Sequence, residues 1–202
     1  MSRSLGVLFM QIVHYPHPSL RQVAKPVREV NDEIRRIVRE MLGLMYAAKG
    51  IGLAGPQVAL PIRLFVLNPK TDDPDRKEER VFINPEIVER KGLVEEEEGC
   101  LSLPGVYAKL KRAERIKVRA LDPTGATFEL EAEGLTARAI QHEVDHLQGI
   151  LFIDKLGPLE KIRVIGKIKE FERDFRHKQE AGEIPPNQVL VRVLDEFAAA
   201  FT

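Results

Sequence analysis

The stretch from Gly134 to Leu147 constrains the fold most, because its pattern predicts a helix that is apolar on more than one side. The apolar positions are Leu135, Ala139, Ile140, Val144 and Leu147. Gly149 follows where a left-handed cap typically ends a helix. Other elements must cover a helix of this kind on several faces. We therefore expect it to be buried inside the domain.

The same predicted helix carries two histidines, His142 and His146, in the sequence His-Glu-Val-Asp-His. A spacing of four residues places both imidazoles on one face of a helix, which is typical of a metal-binding pair. Glu143 is rotated by about 100° from His142, so it lies beside the ion, where a general base is needed. A chance match in a solvated helix is the alternative. Burial disfavours that alternative, because two unpaired imidazoles in a core are costly.

A third metal ligand is required, and the sequence offers two sources. Cys100 is the single cysteine and lies between a glycine and a Pro-Gly bend; a divalent cation would bind it as thiolate. The alternative is Glu170 or Glu172 from a downstream helix, as in one type of zinc protease. A longer protease motif fails, because Phe152 stands where its last histidine belongs. The residues favour Cys100 and leave the glutamates open.

The middle of the chain predicts short strands that form a mixed or antiparallel sheet. The predicted strands are Ile62–Leu67, Arg80–Ile83, Glu86–Glu95, Arg115–Leu121 and Thr127–Leu130. Asn84-Pro85 predicts a break between the second and third of them. Residues 11–30 contain three prolines, which predicts an extended strap over the surface.

Two further helices are predicted on either side of these strands. The first begins at Asn31 or Asp32 and ends before Gly50. The second is basic, spans roughly Leu159 to Lys178 and has one apolar face. Residues 188–201 predict a short helix or a frayed tail.

Composition narrows the class of protein. Thirty-one basic and 31 acidic residues give zero net charge, which argues against a general surface for nucleic acid or membrane. The apolar run Leu5–Val13 is too short to span a membrane and has no signal cleavage site. One cysteine excludes an intrachain disulfide and is typical of a reducing compartment. We expect a cytoplasmic protein with one catalytic domain over residues 1–180 and a tail over residues 181–202.

Three motifs occur in an order that resembles the peptide deformylase family: GIGLAGPQ at Gly50–Gln57, EGCLS at Glu98–Ser102 and HEVDH at His142–His146. The resemblance extends over roughly residues 11–175. It implies an α+β fold with small mixed or antiparallel sheets packed around a central metal-binding helix, and an additional C-terminal helix. It implies an enzyme that removes the N-formyl group from the formyl-methionine of new polypeptides, releasing formate through a metal-bound water. The implied ion is Fe(II), with Zn, Ni or Co possible as prepared.

The resemblance also implies a role for each motif residue. The implied metal ligands are Cys100, His142 and His146. Glu143 is implied to move the protons, while Gln57 and the backbone N–H of Leu101 stabilise the oxyanion. Glu98 and Arg112 are implied to form a pair that orients the cysteine loop, with an ordinary surface salt bridge as the alternative.

Substrate contacts are expected on two sides of the metal site. The peptide is expected to bind as an added strand along Ile51, Gly52 and Gly99, because glycine allows close approach. By the resemblance, Leu135, Arg138 and Ala139 line the pocket for the methionine side chain. The family commonly has an apolar residue at position 138. We hypothesise that Arg138 pairs with Glu96 or Glu97 at the pocket mouth and tunes selectivity; a solvated arginine is the alternative.

Partners follow from the same resemblance. N-formyl-methionyl peptides are the expected substrates, and the basic helix is similar to one that contacts the ribosome in some relatives. Acidic residues within that helix make a solvated face the alternative. We expect no membrane and no specific DNA partner. The rival functions are a general zinc endopeptidase and a catalytically inactive relative that binds peptide or the ribosome.

Overall fold

Helix α2 (Gly134–Leu147) is buried without interruption from Ala137 to Leu147, as its apolar pattern predicts. The computed structural model describes residues 10–71 and 74–202, so part of the apolar run Leu5–Val13 lies outside the described residues. Among those described, no helix combines the length and hydropathy that a membrane crossing requires.

The described residues form three further helices and seven strands. The helices are α1 (Asp32–Ala47), α3 (Pro158–Glu180) and α4 (Asn187–Ala199). The strands are β1 (Gly52–Ala54), β2 (Leu64–Leu67), β3 (Arg80–Lys91), β4 (Val94–Gly99), β5 (Tyr107–Arg112), β6 (Arg115–Leu121) and β7 (Thr127–Glu133). Short 3₁₀ turns lie at Pro18–Arg21, Gly55–Val58 and Phe152–Lys155. The predicted α+β fold, with sheets around a central helix and an additional C-terminal helix, is confirmed.

The larger sheet has five antiparallel strands in the order β1-β2-β3-β6-β7, and β4 with β5 forms a separate antiparallel hairpin. Strand β2 is buried on both faces. Phe65 and Leu67 pack in the core that includes α2, while Leu64 and Val66 pack in the core that includes α1. This alternation follows from the two-residue period of a strand. It holds α2 against one face of the sheet.

The predicted break at Asn84-Pro85 is wrong, because β3 continues through it as one strand. Register shifts in the pairing with β6 absorb the irregularity, as a β-bulge does. Asn84 has a φ of 51°, and its side chain bonds both backbone groups of Val27 at 2.7 and 2.8 Å. The predicted strand Glu86–Glu95 is also wrong as a single element, since a turn at Gly92, with a φ of 69°, separates β3 from β4.

Helix α3 covers the β4–β5 hairpin, and Cys100 lies in the loop that connects its two strands. Val164 and Ile168 pack with Leu110 of β5 and with Phe152. The predicted apolar face is only partly used, because Ile162 remains 70% exposed. Helix α3 therefore packs against the β4–β5 hairpin and supports the loop that contains Cys100.

Residues beyond α3 form a helix rather than a frayed tail. Ala198 of α4 is fully buried and packs in the same core as α1. The carbonyl of Phe201 accepts a hydrogen bond of 2.9 Å from the Arg28 backbone N–H. The division into residues 1–180 and 181–202 stays a prediction.

Candidate metal centre and active-site cleft

Cys100, His142 and His146 lie together, with one ligand atom of each within 4.8 Å of the others. Sγ of Cys100 lies 3.3 Å from Nε2 of His146. The two histidine rings, four residues apart on α2, have centroids 4.9 Å apart at an angle of 75°. Both imidazoles are buried and the cysteine is partly exposed. The three predicted ligands thus form one compact cluster that is reached from the surface through the cysteine side.

The cluster fits a single divalent ion. At usual Zn–N and Zn–S bond lengths, the ligands of a tetrahedral ion lie about 3.3–3.6 Å apart, and the distance of 3.3 Å between Sγ of Cys100 and Nε2 of His146 falls in this range. One thiolate and two imidazoles form an N and S donor set typical of transition metals. The alternative ligands are engaged elsewhere: Glu172 accepts from the Tyr15 hydroxyl at 2.8 Å, and Glu170 pairs with Lys167 at 3.0 Å. The geometry therefore favours Cys100 over the two glutamates.

Glu143 lies beside this cluster with its carboxylate in a buried position. Its Oε2 has no hydrogen-bond partner among the described residues. Burial raises the pKa of Glu143 to about 7, although His142 and Arg112 act in the opposite direction. A carboxyl group with this pKa can both accept and donate a proton near neutral pH.

Gln57 is held in the buried turn Gly55–Val58 with its amide facing the cysteine. Its Nε2 lies 3.4 Å from Sγ of Cys100 and 3.3 Å from Oγ of Ser102, and it donates to both. The backbone N–H of Ala54 donates to its Oε1 at 2.8 Å, which fixes the orientation of the amide. Leu101 lies in the same cleft. The arrangement directs the N–H groups of the Gln57 amide toward Cys100 and Ser102.

The Glu98–Arg112 pair is buried, with side chains 6% and 2% exposed, so the alternative of a surface salt bridge is wrong. Arg112 donates to the two oxygens of Glu98 at 2.5 and 2.8 Å, and Oε2 of Glu98 lies 3.1 Å from Nδ1 of His142. Burial alone would raise the pKa of Glu98, but the hydrogen bonds from Arg112 and His142 hold it well below its usual range. A carboxylate on Nδ1 is the usual means of orienting a metal-binding imidazole.

Asp145 was not among the predicted site residues. Its carboxylate accepts from Arg112 at 2.7 Å and from Lys155 at 2.6 Å. The sequence feature that could have identified Asp145 is its position inside HEVDH, one residue before His146, on a helix predicted to be buried.

A cleft of about 650 Å³ opens onto the cluster. The predicted peptide-binding and pocket residues all line it: Ile51, Gly52, Gly99, Leu135, Arg138 and Ala139. Leu135 is 52% exposed, whereas Arg138 is only 4% exposed. The alternative of a solvated Arg138 is therefore wrong. Its acidic partners are Glu96 and Glu98, at 3.0 and 2.7 Å.

The cleft residues that were missed include Ile12, His14 and Tyr107. Tyr107 faces Gly99 across the hairpin, and a Cβ atom at position 99 would come within 2.6 Å of its ring. Ile12 and His14 belong to the predicted strap. Its backbone N–H groups at Val13 and Tyr15 donate to the carbonyls of Gln57 and Ser102 at 2.8 and 2.9 Å. The strap thus joins the first two motifs at the edge of the cleft.

Comparison with known proteins agrees with this geometry. The family model described as polypeptide deformylase matches residues 9–162. A peptide deformylase of Rhodopirellula baltica is 42% identical over 193 residues, which are 96% of each protein. The crystal structure of peptide deformylase from Plasmodium falciparum is 39% identical, with a TM-score of 0.80 over 83% of this chain and 98% of that one. The Legionella pneumophila structure is 43% identical, with a TM-score of 0.75 over 81% of this chain and 95% of that one. The chain therefore belongs to the polypeptide deformylase family.

Proposed function

We propose that this protein is a peptide deformylase that removes the formyl group from the N-terminal formyl-methionine of new polypeptides and releases formate. Membership of the family and 42% identity to a peptide deformylase over nearly the whole chain support this activity. The observation that carries the proposal is the compact set of Cys100, His142 and His146 beside the buried carboxylate of Glu143. These are the groups that metal-assisted amide hydrolysis requires.

Cys100, His142 and His146 would hold the ion. A divalent ion bound there supplies Lewis-acid chemistry, because it polarises a carbonyl and lowers the pKa of water toward neutrality. We propose Fe(II) in the cell, with Zn, Ni or Co possible after preparation, since thiolate and imidazole ligands suit all four.

Glu143 is the proposed proton carrier. Its unpaired Oε2 accepts a proton from the attacking water while the water oxygen bonds to the formyl carbon. The carboxyl group then delivers that proton to the amine nitrogen as the carbon–nitrogen bond breaks. Formate and a peptide with a free amino group result. One carboxyl group can serve in both steps because its pKa lies near 7.

The oxyanion is proposed to be stabilised by the Gln57 side-chain amide and the Leu101 backbone N–H. The hydrogen bond between Ala54 and Gln57 supports this role, because it turns the NH₂ group of Gln57 toward the cleft. Preorganised donors of this kind need no rearrangement as negative charge develops.

The peptide is proposed to lie along Ile51, Gly52 and Gly99 through main-chain hydrogen bonds. Recognition through the backbone suits an enzyme whose substrates share only their first residue. The methionine side chain is proposed to lie near Leu135 and Ala139, and Arg138 also lines the cleft.

Metal analysis joined to turnover tests this function. Protein purified without oxygen should contain about one divalent ion per chain, and a formyl-Met peptide should release formate in proportion to metal content. Loss of formate release on chelation, with recovery on Fe(II) addition, is expected. Metal-loaded protein that cleaves internal peptide bonds and leaves formyl-Met peptides unchanged would instead indicate the endopeptidase.

The ribosome is a proposed further partner, with the cytoplasm as the proposed location. Helix α3 is rich in basic residues on its exposed surface: Lys161, Arg163, Lys167, Lys169, Arg173, Arg176 and Lys178. Some are paired within the helix, as in Arg163–Glu160 and Lys167–Glu170. Replacing the exposed Lys169 and Arg176 by Glu should reduce co-sedimentation with ribosomes at low salt if α3 contacts RNA. Equal co-sedimentation of the variant and the original protein would indicate a solvated face.

A further inference from the structure

Arg138 lies one helical turn before His142 and directs its guanidinium group away from solvent. The group donates to the carboxylates of Glu96 and Glu98 at 3.0 and 2.7 Å. It also donates to the carbonyls of Val94 and Leu110 at 3.0 and 3.3 Å. These bonds reach both strands of the β4–β5 hairpin. Arg138 therefore links α2, which carries both histidines, to the β4–β5 hairpin, whose connecting loop begins with Cys100.

Glu98 connects these hydrogen bonds of Arg138 to the metal centre. Its Oε1 accepts from Arg138 and also from Nε of Arg112, at 2.7 and 2.5 Å. Its Oε2 accepts from Nη2 of Arg112 at 2.8 Å and lies 3.1 Å from Nδ1 of His142. The two guanidinium groups hold the carboxylate between them, with one oxygen left facing the imidazole. Rotation of Glu98 away from His142 would break bonds to both arginines.

The charges of this network balance, with Glu98, Asp145, Arg112 and Arg138 buried and Glu96 and Lys155 partly exposed. It contains three carboxylates and three cations: Glu96, Glu98 and Asp145 with Arg112, Arg138 and Lys155. Arg112 alone already forms a two-bond pair with Glu98 and also binds Asp145. Arg138 adds the bonds that Arg112 does not make, namely those to the β4 and β5 backbone. It therefore adds a second link between the hairpin and α2, beside the bond from Arg112 of β5 to Asp145 of α2.

We propose that Arg138 is a positioning residue for the Cys100–His142–His146 metal site. It acts through Glu98 and the hairpin, which together set the thiol and the imidazoles at the spacing that an ion requires. This inference rests on the metal site of the proposed function. It differs from a role at the pocket mouth, because the guanidinium group is engaged with protein groups rather than facing substrate. It predicts an effect on metal affinity rather than on peptide preference.

Metal affinity of folded variants tests the proposal. Co(II) or Zn(II) affinity is measured by competition with a chelator of known affinity, and cooperative thermal unfolding of the metal-free protein checks the fold. Arg138→Leu should bind the ion about 10- to 100-fold more weakly, as is usual when a group that orients a metal ligand is lost. The visible spectrum of its Co(II) form should shift, because the geometry at the thiolate changes. Arg138→Lys should be intermediate, since an ammonium group can pair with Glu98 but cannot make all four bonds.

Glu96→Gln is the matched control. Glu96 is half exposed and binds only the outer side of Arg138, so its loss should leave metal affinity within about twofold of the original. The proposal would be overturned if folded Arg138→Leu bound metal as tightly as the original protein. If Arg138→Leu does not fold, the same result for Arg138→Lys would overturn it. So would altered peptide preference with unaltered metal affinity. If the original protein itself neither binds metal nor releases formate, the proposed function fails instead.

Discussion

The backbone of Gly52 lies so close to the carboxylate of Glu143 that a Cβ atom at position 52 would overlap Oε1. Strand β1 and helix α2 thus meet at a glycine directly opposite the proposed proton carrier. Any side chain at position 52 would have to displace that carboxylate or move the strand.

Gly52→Ala should therefore lower kcat for a formyl-Met peptide by at least about tenfold, because displacement by even about 1 Å is costly in catalysis. Metal content should be unchanged, since position 52 is directed at Glu143 rather than at the ligands. Gly43→Ala is the matched control, because nothing lies within 4 Å of a Cβ atom there. It should retain full activity and gain up to about 1 kcal/mol in the free energy of unfolding. If Gly52→Ala and Gly43→Ala had the same kcat, this would contradict the close contact between Gly52 and Glu143.

Glu143→Gln should retain the ion and lose catalysis. The amide has nearly the same shape but cannot take a proton from water, so kcat should fall by about 10²–10⁴-fold, the usual contribution of general acid–base catalysis. Metal content and formate release are measured on the same sample. A fully metallated variant with substantial residual turnover would remove Glu143 from the mechanism.

Cys100→Ser should empty the metal site, because a serine hydroxyl is a much poorer ligand than a thiolate for these ions. The endopeptidase alternative predicts that the variant keeps its metal. Glu172→Gln is the control: it should weaken the contact with the Tyr15 hydroxyl and leave metal content at about one per chain. If Glu172→Gln lost its metal and Cys100→Ser kept it, the third ligand would be Glu172 rather than Cys100.

His17 should make the protein less stable in acid. Burial lowers the pKa of His17 to about 4, from an ordinary value of 6.5. The unfolded chain therefore binds more protons than the folded chain between these values, and the free energy of unfolding falls as pH decreases from about 6.5 toward 4. Nδ1 of His17 also accepts from the Ser19 N–H at 3.2 Å, a bond that protonation breaks.

His17→Asn should flatten that dependence, because asparagine can accept the same hydrogen bond and does not titrate. We expect the two proteins to differ by about 1–2 kcal/mol in how much stability they lose between pH 7 and pH 4, allowing for solvent screening of a half-buried group. Urea unfolding of both metal-free proteins at several pH values measures this. Parallel curves would show that His17 titrates normally in the folded chain.

Local patterns were sufficient for the helices and for the pairing of the two histidines. The N-cap at Asn31, whose side chain accepts from the Ile34 N–H at 3.1 Å, and the bounds of α2 follow from residues a few positions apart. The short strands β1 and β5 were missed. Strand β1 has only three residues, one of them glycine, and so has no strong signal. Strand β5 does alternate lysine with apolar residues, which is the period of a strand, but over only six residues.

The sequence by itself determined the candidate residues of the site, because spacing along a helix and the order of three motifs can be read directly from the chain. Only the tertiary structure decided how they meet. Cys100 and His146 are 46 positions apart in the sequence, and the bonds of Arg138 to the β4–β5 hairpin hold their segments together. Three features depend on partners distant in sequence: the burial of Arg138, the ion pairs of Asp145 and the packing of α4 against α1. Such contacts are set by the filling of a common core and the pairing of buried charges, which no short stretch of the chain records.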